Sequence, residues 1–272
     1  MTAMKVLLTN DDGIYSIGIQ TMAKRLFDCG HDILLVAPDR ERSNCGHAMT
    51  LDRPVHLVRA DKRFLLADFT AYKCDGFPTD CVTMGIDVLN FGPDLVISGI
   101  NQGPNLGDDV TYSGTACAAM EGIISDVPSI AVSLVTHSRE IEFHNDTAAD
   151  AVMTFLGWLG DGNPIPDGVF FNINVPNIPS AEIKGMCMAR MGTRRYKDKV
   201  MTVQSPSGSN AYWIGGTIKD EVEDGTDIWA IRQNMISVTP IHMDMTCYRL
   251  FEEYKGENVS KILTEKLEQD RK

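Results

Sequence analysis

Two adjacent carboxylates, Asp11 and Asp12, follow the amide of Asn10 and precede a turn residue, Gly13, close to the start of a 272-residue chain. Neighbouring negative charges repel unless something positive lies between or near them. One arrangement makes one aspartate a cap of the next helix and leaves the other solvated. The alternative is a divalent-cation site, since carboxylates, amides and hydroxyls are hard oxygen donors suited to Mg²⁺ or Mn²⁺. A second chemical stretch runs from Ser98 to Asp109, with glycines at 99, 103 and 107 and the amides of Asn101 and Asn105. Glycine there leaves the backbone free to approach a ligand. It leads into Ser113-Gly114-Thr115 and a small-residue helix, whose first amides and two hydroxyls form a ready anion site. A third polar segment, 38–47, holds Arg40, Glu41, Arg42 and Ser43. Its charges fit a solvated face equally well, and only position makes Ser43 a ligand candidate.

Each stretch sits where a buried strand ends. Val6-Leu7-Leu8 is too short to span a membrane and reads as a strand buried on both faces. A helix over 18–27, ended by Gly30, and a second strand over 32–37 complete a right-handed parallel unit. Ligands of such sheets bind beyond the carboxyl ends of the strands, which is where Asp11 and Asp12 fall. Further core strands are expected over 93–98, 128–134 and 169–175, the last closing the main sheet, with helices from Thr79 (a possible cap) to about 90 and over 146–159. Short alternating pieces between 50 and 74 suggest peripheral or antiparallel strands, on which His56 is structural. The resulting class is α/β, with a mostly parallel sheet in a core over residues 1–180. An extension over 181–272 follows. In it, 212–217 and 227–231 read as exposed aromatic hairpins suited to a subunit interface, 235–240 as a returning strand, and 257–270 as a charged amphipathic helix.

A formal charge of −12 and a pI near 4.9 argue against binding a nucleic-acid polymer through a basic face. A small anionic substrate stays compatible, because a bound metal inverts the local field. Seven cysteines without a Cys-x-x-Cys spacing do not form a disulfide framework or zinc ribbon; most read as small core residues, Cys45 excepted. No signal-peptide layout or membrane-length apolar run is present, and the expectation is a cytoplasmic protein without membrane contact.

Several chemistries are disfavoured by the letters. The turn after the first strand is not Gly-x-Gly-x-x-Gly, no P-loop lysine motif occurs, and there is no Gly-x-Ser-x-Gly elbow. An aspartyl-phosphate enzyme would want Asp-x-Asp; here the carboxylates are adjacent, so only one points inward. Metal-assisted hydrolysis is left. Asp11 and Asp12 would hold the cation, a loop hydroxyl and amide would complete its shell, and the 113–115 pocket would receive a phosphoryl group.

In these residues the chain resembles SurE, the survival-protein E family of divalent-metal-dependent nucleoside monophosphate phosphatases. The blocks are Leu-Leu-Thr-Asn-Asp-Asp-Gly at 7–13, Ala-Pro-Asp-Arg-Glu-Arg-Ser at 37–43, Pro-Thr-Asp-Cys-Val at 78–82 and Ser-Gly-Ile-Asn-Gln-Gly-Pro-Asn-Leu-Gly-Asp-Asp-Val at 98–110. Tyr-Ser-Gly-Thr at 112–115, Ala-Met-Glu-Gly at 119–122, Asn-Ile-Asn-Val-Pro at 172–176, Tyr-Trp-Ile-Gly at 212–215 and Thr-Pro-Ile-His at 239–242 follow in order. The resemblance implies one Mg²⁺ or Mn²⁺ per subunit bound by Asp11, Asp12, Ser43 and Asn101. It also implies a Rossmann-like three-layer core, a hairpin extension exchanged between subunits of a homodimer or homotetramer, and hydrolysis of 5′- and 3′-nucleotides, with short polyphosphate taken by some members. Asp11 and Asp12 carry the catalytic assignment; Asn10, Asn105, Ser113, Gly114 and Thr115 are assigned to the substrate phosphate. A non-catalytic nucleotide sensor keeping the same pocket is the alternative outside enzymology. Two departures stand out: Ser16-Ile17-Gly18 where the family commonly has Ala-Pro-Gly, and Ser43-Asn44 where it has Ser-Gly.

Overall fold

The computed structural model of the chain describes residues 2–136, 142–197, 200–205 and 208–269. By its contacts the chain forms two compact units, 1–241 and 242–272, so residues 181–241 belong to the first. In that unit the elements run β1 (Lys5–Thr9), α1 (Ile17–Asp28), β2 (Asp32–Pro38), β3 (Leu57–Arg59), β4 (Thr70–Cys74), α2 (Pro78–Thr83) and β5 (Leu95–Gln102). They continue with α3 (Gly114–Ile124), β6 (Ser129–Val135), α4 (Asn145–Gly160), β7 (Val169–Pro176), β8 (Met186–Met188) and β9 (Thr193–Lys197). β10 (Val200–Gln204), β11 (Asn210–Ile214), β12 (Thr217–Glu221), α5 (Asp227–Arg232) and β13 (Ile236–His242) close it. The second unit holds α6 (Tyr248–Tyr254) and α7 (Glu257–Gln269).

Among the described residues one sheet of nine strands is ordered β3-β4-β2-β1-β5-β6-β7-β13-β8. β1 pairs in parallel with β2 on one side and β5 on the other. From β1 the chain first steps to β2 and later returns to β5, so strand order reverses at β1. That reversal opens a crevice beyond the carboxyl ends of β1 and β5, the usual ligand position of an open α/β sheet. Val6, Leu7 and Leu8 are fully buried, as are Val96 and Ile97 beside them, which explains why these strands read as unbroken apolar runs. One face packs on α1 and α4 through Ile19, Met22, Leu26, Val152 and Phe155. The other packs on α2 and α3 through Leu7, Val96, Val82 and Ala118.

α1 reaches the crevice because Gly18 lets it. A β-carbon there would lie 2.2 Å from the carbonyl oxygen of Ile100. Gly18→Ala is therefore expected to destabilise the chain by about 1–3 kcal/mol through overpacking, although alanine alone would favour the helix by roughly 1 kcal/mol. Thermal unfolding reads this as a fall of several degrees; an unchanged midpoint would contradict the close approach.

Several expectations change. β7 is not the last strand of the sheet, because β13 and β8 extend it. Of the pieces between 50 and 74, β4 is parallel to β2, while β3 pairs antiparallel with β4 at the sheet edge. Residues 227–231 are a helix, not an exposed hairpin: the Thr226 hydroxyl accepts from Trp229 N at 3.1 Å, and Ile228 packs against Leu106 and Val135. Thr79 is no cap; its hydroxyl donates to Ala48 O, while Asp80 accepts from Phe77 N at 2.7 Å. Of the cysteines only Cys74, Cys81 and Cys117 are buried, and all seven are free. The segment 212–214 does form an arm: β9 pairs with β12 and β10 with β11, both antiparallel, with Tyr212, Trp213 and Ile214 exposed. No helix among the described residues is long and apolar enough to cross a membrane.

Candidate metal centre and phosphate cradle

Three adjacent strand ends supply the site. β1 delivers Asn10, Asp11 and Asp12; the loop after β2 delivers Ser43; and β5 ends on Asn101 and Gln102. Hydrogen bonds tie these segments together. Arg42 N donates to Asp11 O at 2.7 Å, Ile14 N to Pro38 O at 2.9 Å, and Gln102 N to Asp12 Oδ2 at 3.1 Å. Asn10 is wholly buried and works inside its own turn: its amide donates to Gly13 O (3.1 Å) and Ser16 Oγ (2.8 Å), and its oxygen accepts from Gly13 N (3.2 Å). It therefore shapes the loop that presents Asp11 and Asp12. Neither aspartate caps α1, whose cap position is Ser16.

Asp11 is only 4% exposed, and burial pushes its carboxyl pKa up, with Glu41 adding in the same direction. The Thr115 hydroxyl, donating at 2.6 Å, and backbone amides oppose that shift. Among the described residues no basic side chain pairs with it. A buried carboxylate beside a second one, paired with no basic side chain among the described residues, fits a bound cation. The donors present also fit: no three His, Cys, Asp or Glu side chains converge among the described residues, so an ion at Asp11 and Asp12 would rely on amide and hydroxyl oxygens. Asn101 ties its amide nitrogen to Gly103 O at 2.8 Å, which leaves its oxygen to offer. Ser43 is exposed and donates to Glu41 at 2.7 Å, which leaves its lone pairs.

The start of α3 closes the other side. Ser113 caps it by accepting from Ala116 N at 3.0 Å, which leaves its hydroxyl proton to donate. Gly114 is the point of closest approach: a β-carbon there would sit 2.7 Å from Cys45 Sγ and 2.9 Å from Asp11 Cβ. Packed there, the Cys45 thiol has its pKa raised to about 11, by burial first and by Asp11 second. Asn105 lies deeper and is held by the sheet. It donates to Ser133 Oγ at 2.8 Å and accepts on its carbonyl from Asn172 (2.8 Å) and Asn174 (3.0 Å).

The family departures have a conformational reading. Asn44 adopts φ +57°, the left-handed region where asparagine is the commonest stand-in for glycine. Ile17 occupies the first turn of α1, a position where proline fits but is not required. Sequence reasoning missed the groups that hold these loops. His47 pairs with Glu121 at 2.9 Å, and Asp80 accepts from the amide and hydroxyl of Thr50 at 3.0 and 2.6 Å. Asp227 accepts from the amides of Gly107 and Gly192, both at 2.8 Å. A helix-start signal, Thr226 before Asp227, was available for the last.

Comparison with known proteins agrees with this architecture. Residues 6–198 match the family described as Survival protein SurE. A 5′-nucleotidase SurE of Pelobacter propionicus is 44% identical over 247 residues, covering 90% of this chain and 96% of the relative. One from Cyanothece sp. is 42% identical over 254 residues, covering 89% and 92%. The crystal structure of the SurE protein from Aquifex aeolicus is similar at TM-score 0.78 and 38% identity, over 92% of this chain and 98% of that one. With most of its length matched in sequence and in fold, this chain belongs to the survival protein SurE family.

Proposed function

We propose that the chain is a phosphatase that uses one divalent cation, Mg²⁺ or Mn²⁺, to release phosphate from nucleoside 5′- and 3′-monophosphates. The observation that carries this reading is the buried Asp11, paired with no basic side chain among the described residues, beside Asp12 at the strand-order reversal and facing a helix start; the nucleotidase names of its relatives supply the substrate class. Asp11, Asp12, Ser43 and Asn101 would hold the cation. When bound, it polarises a phosphoryl oxygen and makes an attacking water more acidic.

The chain's own residues do the rest. Water attacks phosphorus, the ester P–O bond breaks, and one of the two aspartates takes the water's proton and passes it to the departing nucleoside oxygen, which leaves as an alcohol. The start of α3, with partial positive charge at its amides, faces the phosphoryl oxygens. Of the residues assigned to phosphate, Gly114 and Thr115 line that face. Asn10 and Asn105 donate hydrogen bonds that shape it, while Ser113, which accepts from Ala116 N, keeps its hydroxyl proton to donate. The exposed apolar arm fits a homo-oligomer, and the chain is read as cytoplasmic.

Chelator-stripped protein is expected to release no phosphate from 5′-AMP or 3′-AMP and to recover on adding Mn²⁺ or Mg²⁺. Metal binding without release from either nucleotide or from tripolyphosphate would favour a nucleotide sensor. Release from tripolyphosphate alone would favour an exopolyphosphatase.

A further inference from the structure

The loop between β5 and α3 carries Asn105 and delivers Ser113–Thr115, yet little of what holds it is its own. Its turn at 107–112 is gripped from the arm. Gly107 takes φ +52°, and a β-carbon there would meet Gly192 O at 2.5 Å. Arg194 N donates to Asp108 Oδ2 at 3.1 Å. The Arg194 guanidinium, almost wholly buried, donates through Nη1 to Asp109 Oδ2 and through Nε to Asp220 Oδ1, both at 2.9 Å. The Tyr196 hydroxyl also donates to Asp109. From the turn, displacement passes directly to the cradle, because Ser113 N donates to Val110 O at 3.2 Å.

A buried ion pair is poor at adding net stability, since desolvation consumes most of the attraction. What it does well is fix geometry: a planar guanidinium fork accepts its carboxylates only in one plane. Here the fork joins Asp220, on β12 of the arm, to Asp109, four residues before the phosphate cradle begins. We propose that Arg194 is a positioning residue, holding Asp109 and through it the start of α3 in register with Asp11. This deepens the proposed phosphatase reading and rests on it.

The test compares the full-length wild type with Arg194→Met, Arg194→Lys, Asp109→Asn and Asp220→Asn. Three quantities are read: kcat and KM on 5′-AMP, inhibition by inorganic phosphate, and Mn²⁺ affinity by calorimetry. Arg194→Met is expected to lose about 10- to 100-fold in kcat/KM, the scale set by misplacing reacting groups by an ångström or less. Phosphate inhibition should weaken in parallel while Mn²⁺ affinity holds. Arg194→Lys should recover part of the loss. If Arg194→Met does not fold, Asp109→Asn, which keeps an acceptor oxygen, is expected to show the same split more weakly. Asp220→Asn, which removes the charge from the arm side of the fork but keeps the direct grip on Asp109, should lose less than Asp109→Asn.

Wild-type kinetics in folded Arg194→Met and Asp109→Asn would overturn the inference. So would Mn²⁺ affinity falling in step with turnover, or Asp220→Asn being as damaging as Asp109→Asn, since either marks a general loss of structure. A wild type that binds Mn²⁺ but releases no phosphate overturns the phosphatase reading first, and the inference with it.

Discussion

Asp11→Asn is expected to remove metal-dependent phosphate release by at least about a hundredfold while leaving the chain folded. The two halves have the same cause. Asp11 is buried, and burial works against its charge. A neutral amide of the same shape escapes that desolvation and can still accept the Thr115 hydroxyl, so the melting temperature of metal-free protein should be equal or higher. The same amide gives up the charge that attracts a cation, and with it the several kcal/mol of charge stabilisation a metal supplies to phosphoryl transfer. Mn²⁺ should raise the melting temperature of the wild type but not of the variant, because a ligand stabilises only what binds it. Turnover retained in Asp11→Asn would remove Asp11 from the site.

Gly114→Ala should be the second largest effect, about a hundredfold loss of turnover for the cost of one methyl group. The added carbon would meet Cys45 Sγ at 2.7 Å, Asp11 Cβ at 2.9 Å and Asp11 Oδ2 at 3.0 Å. A thiol can rotate away, but Asp11 Cβ is fixed at the end of β1, so α3 must retreat from the carboxylate or Asp11 must turn. Overpacking of this kind costs about 1–3 kcal/mol, which the chain survives; the geometry of the cradle does not. Removing the thiol as well, in Gly114→Ala with Cys45→Ala, relieves only one contact and should leave turnover low. Full recovery in that double variant would assign the effect to Cys45 instead of the approach of α3 to Asp11.

Both predictions concern residues that could be picked from the letters, and the reason is locality. A strand buried on both faces must be apolar, so the switch from Val6-Leu7-Leu8 to Asn10-Asp11-Asp12 marks its carboxyl end within three residues. The same logic marks Asn101 at the end of β5 and Ser113–Thr115 at the start of α3, because strand, loop and helix start follow one another along the chain. That ligands gather at such ends follows from the parallel topology, and alternation of strand and helix was enough to expect it.

What the letters did not determine is what each polar group is bonded to. Asn10 and Asn105 look alike in sequence, an amide in a polar loop. Yet one is held by Gly13 and Ser16 nearby and the other by Ser133, Asn172 and Asn174, up to 69 residues away. Residues 227–231 fit a strand or a helix at that length, and burial of Ile228 against Leu106 and Val135 decided for the helix. Nothing in the letters marks Arg194 until Asp109, 85 residues earlier, is brought against it. The sequence by itself determined the strand ends, the donor chemistry gathered there and the family. Only the tertiary structure decided which donors are already committed and which element holds the loop over Asp11, because hydrogen-bond capacity is shared among residues that distance along the chain does not connect.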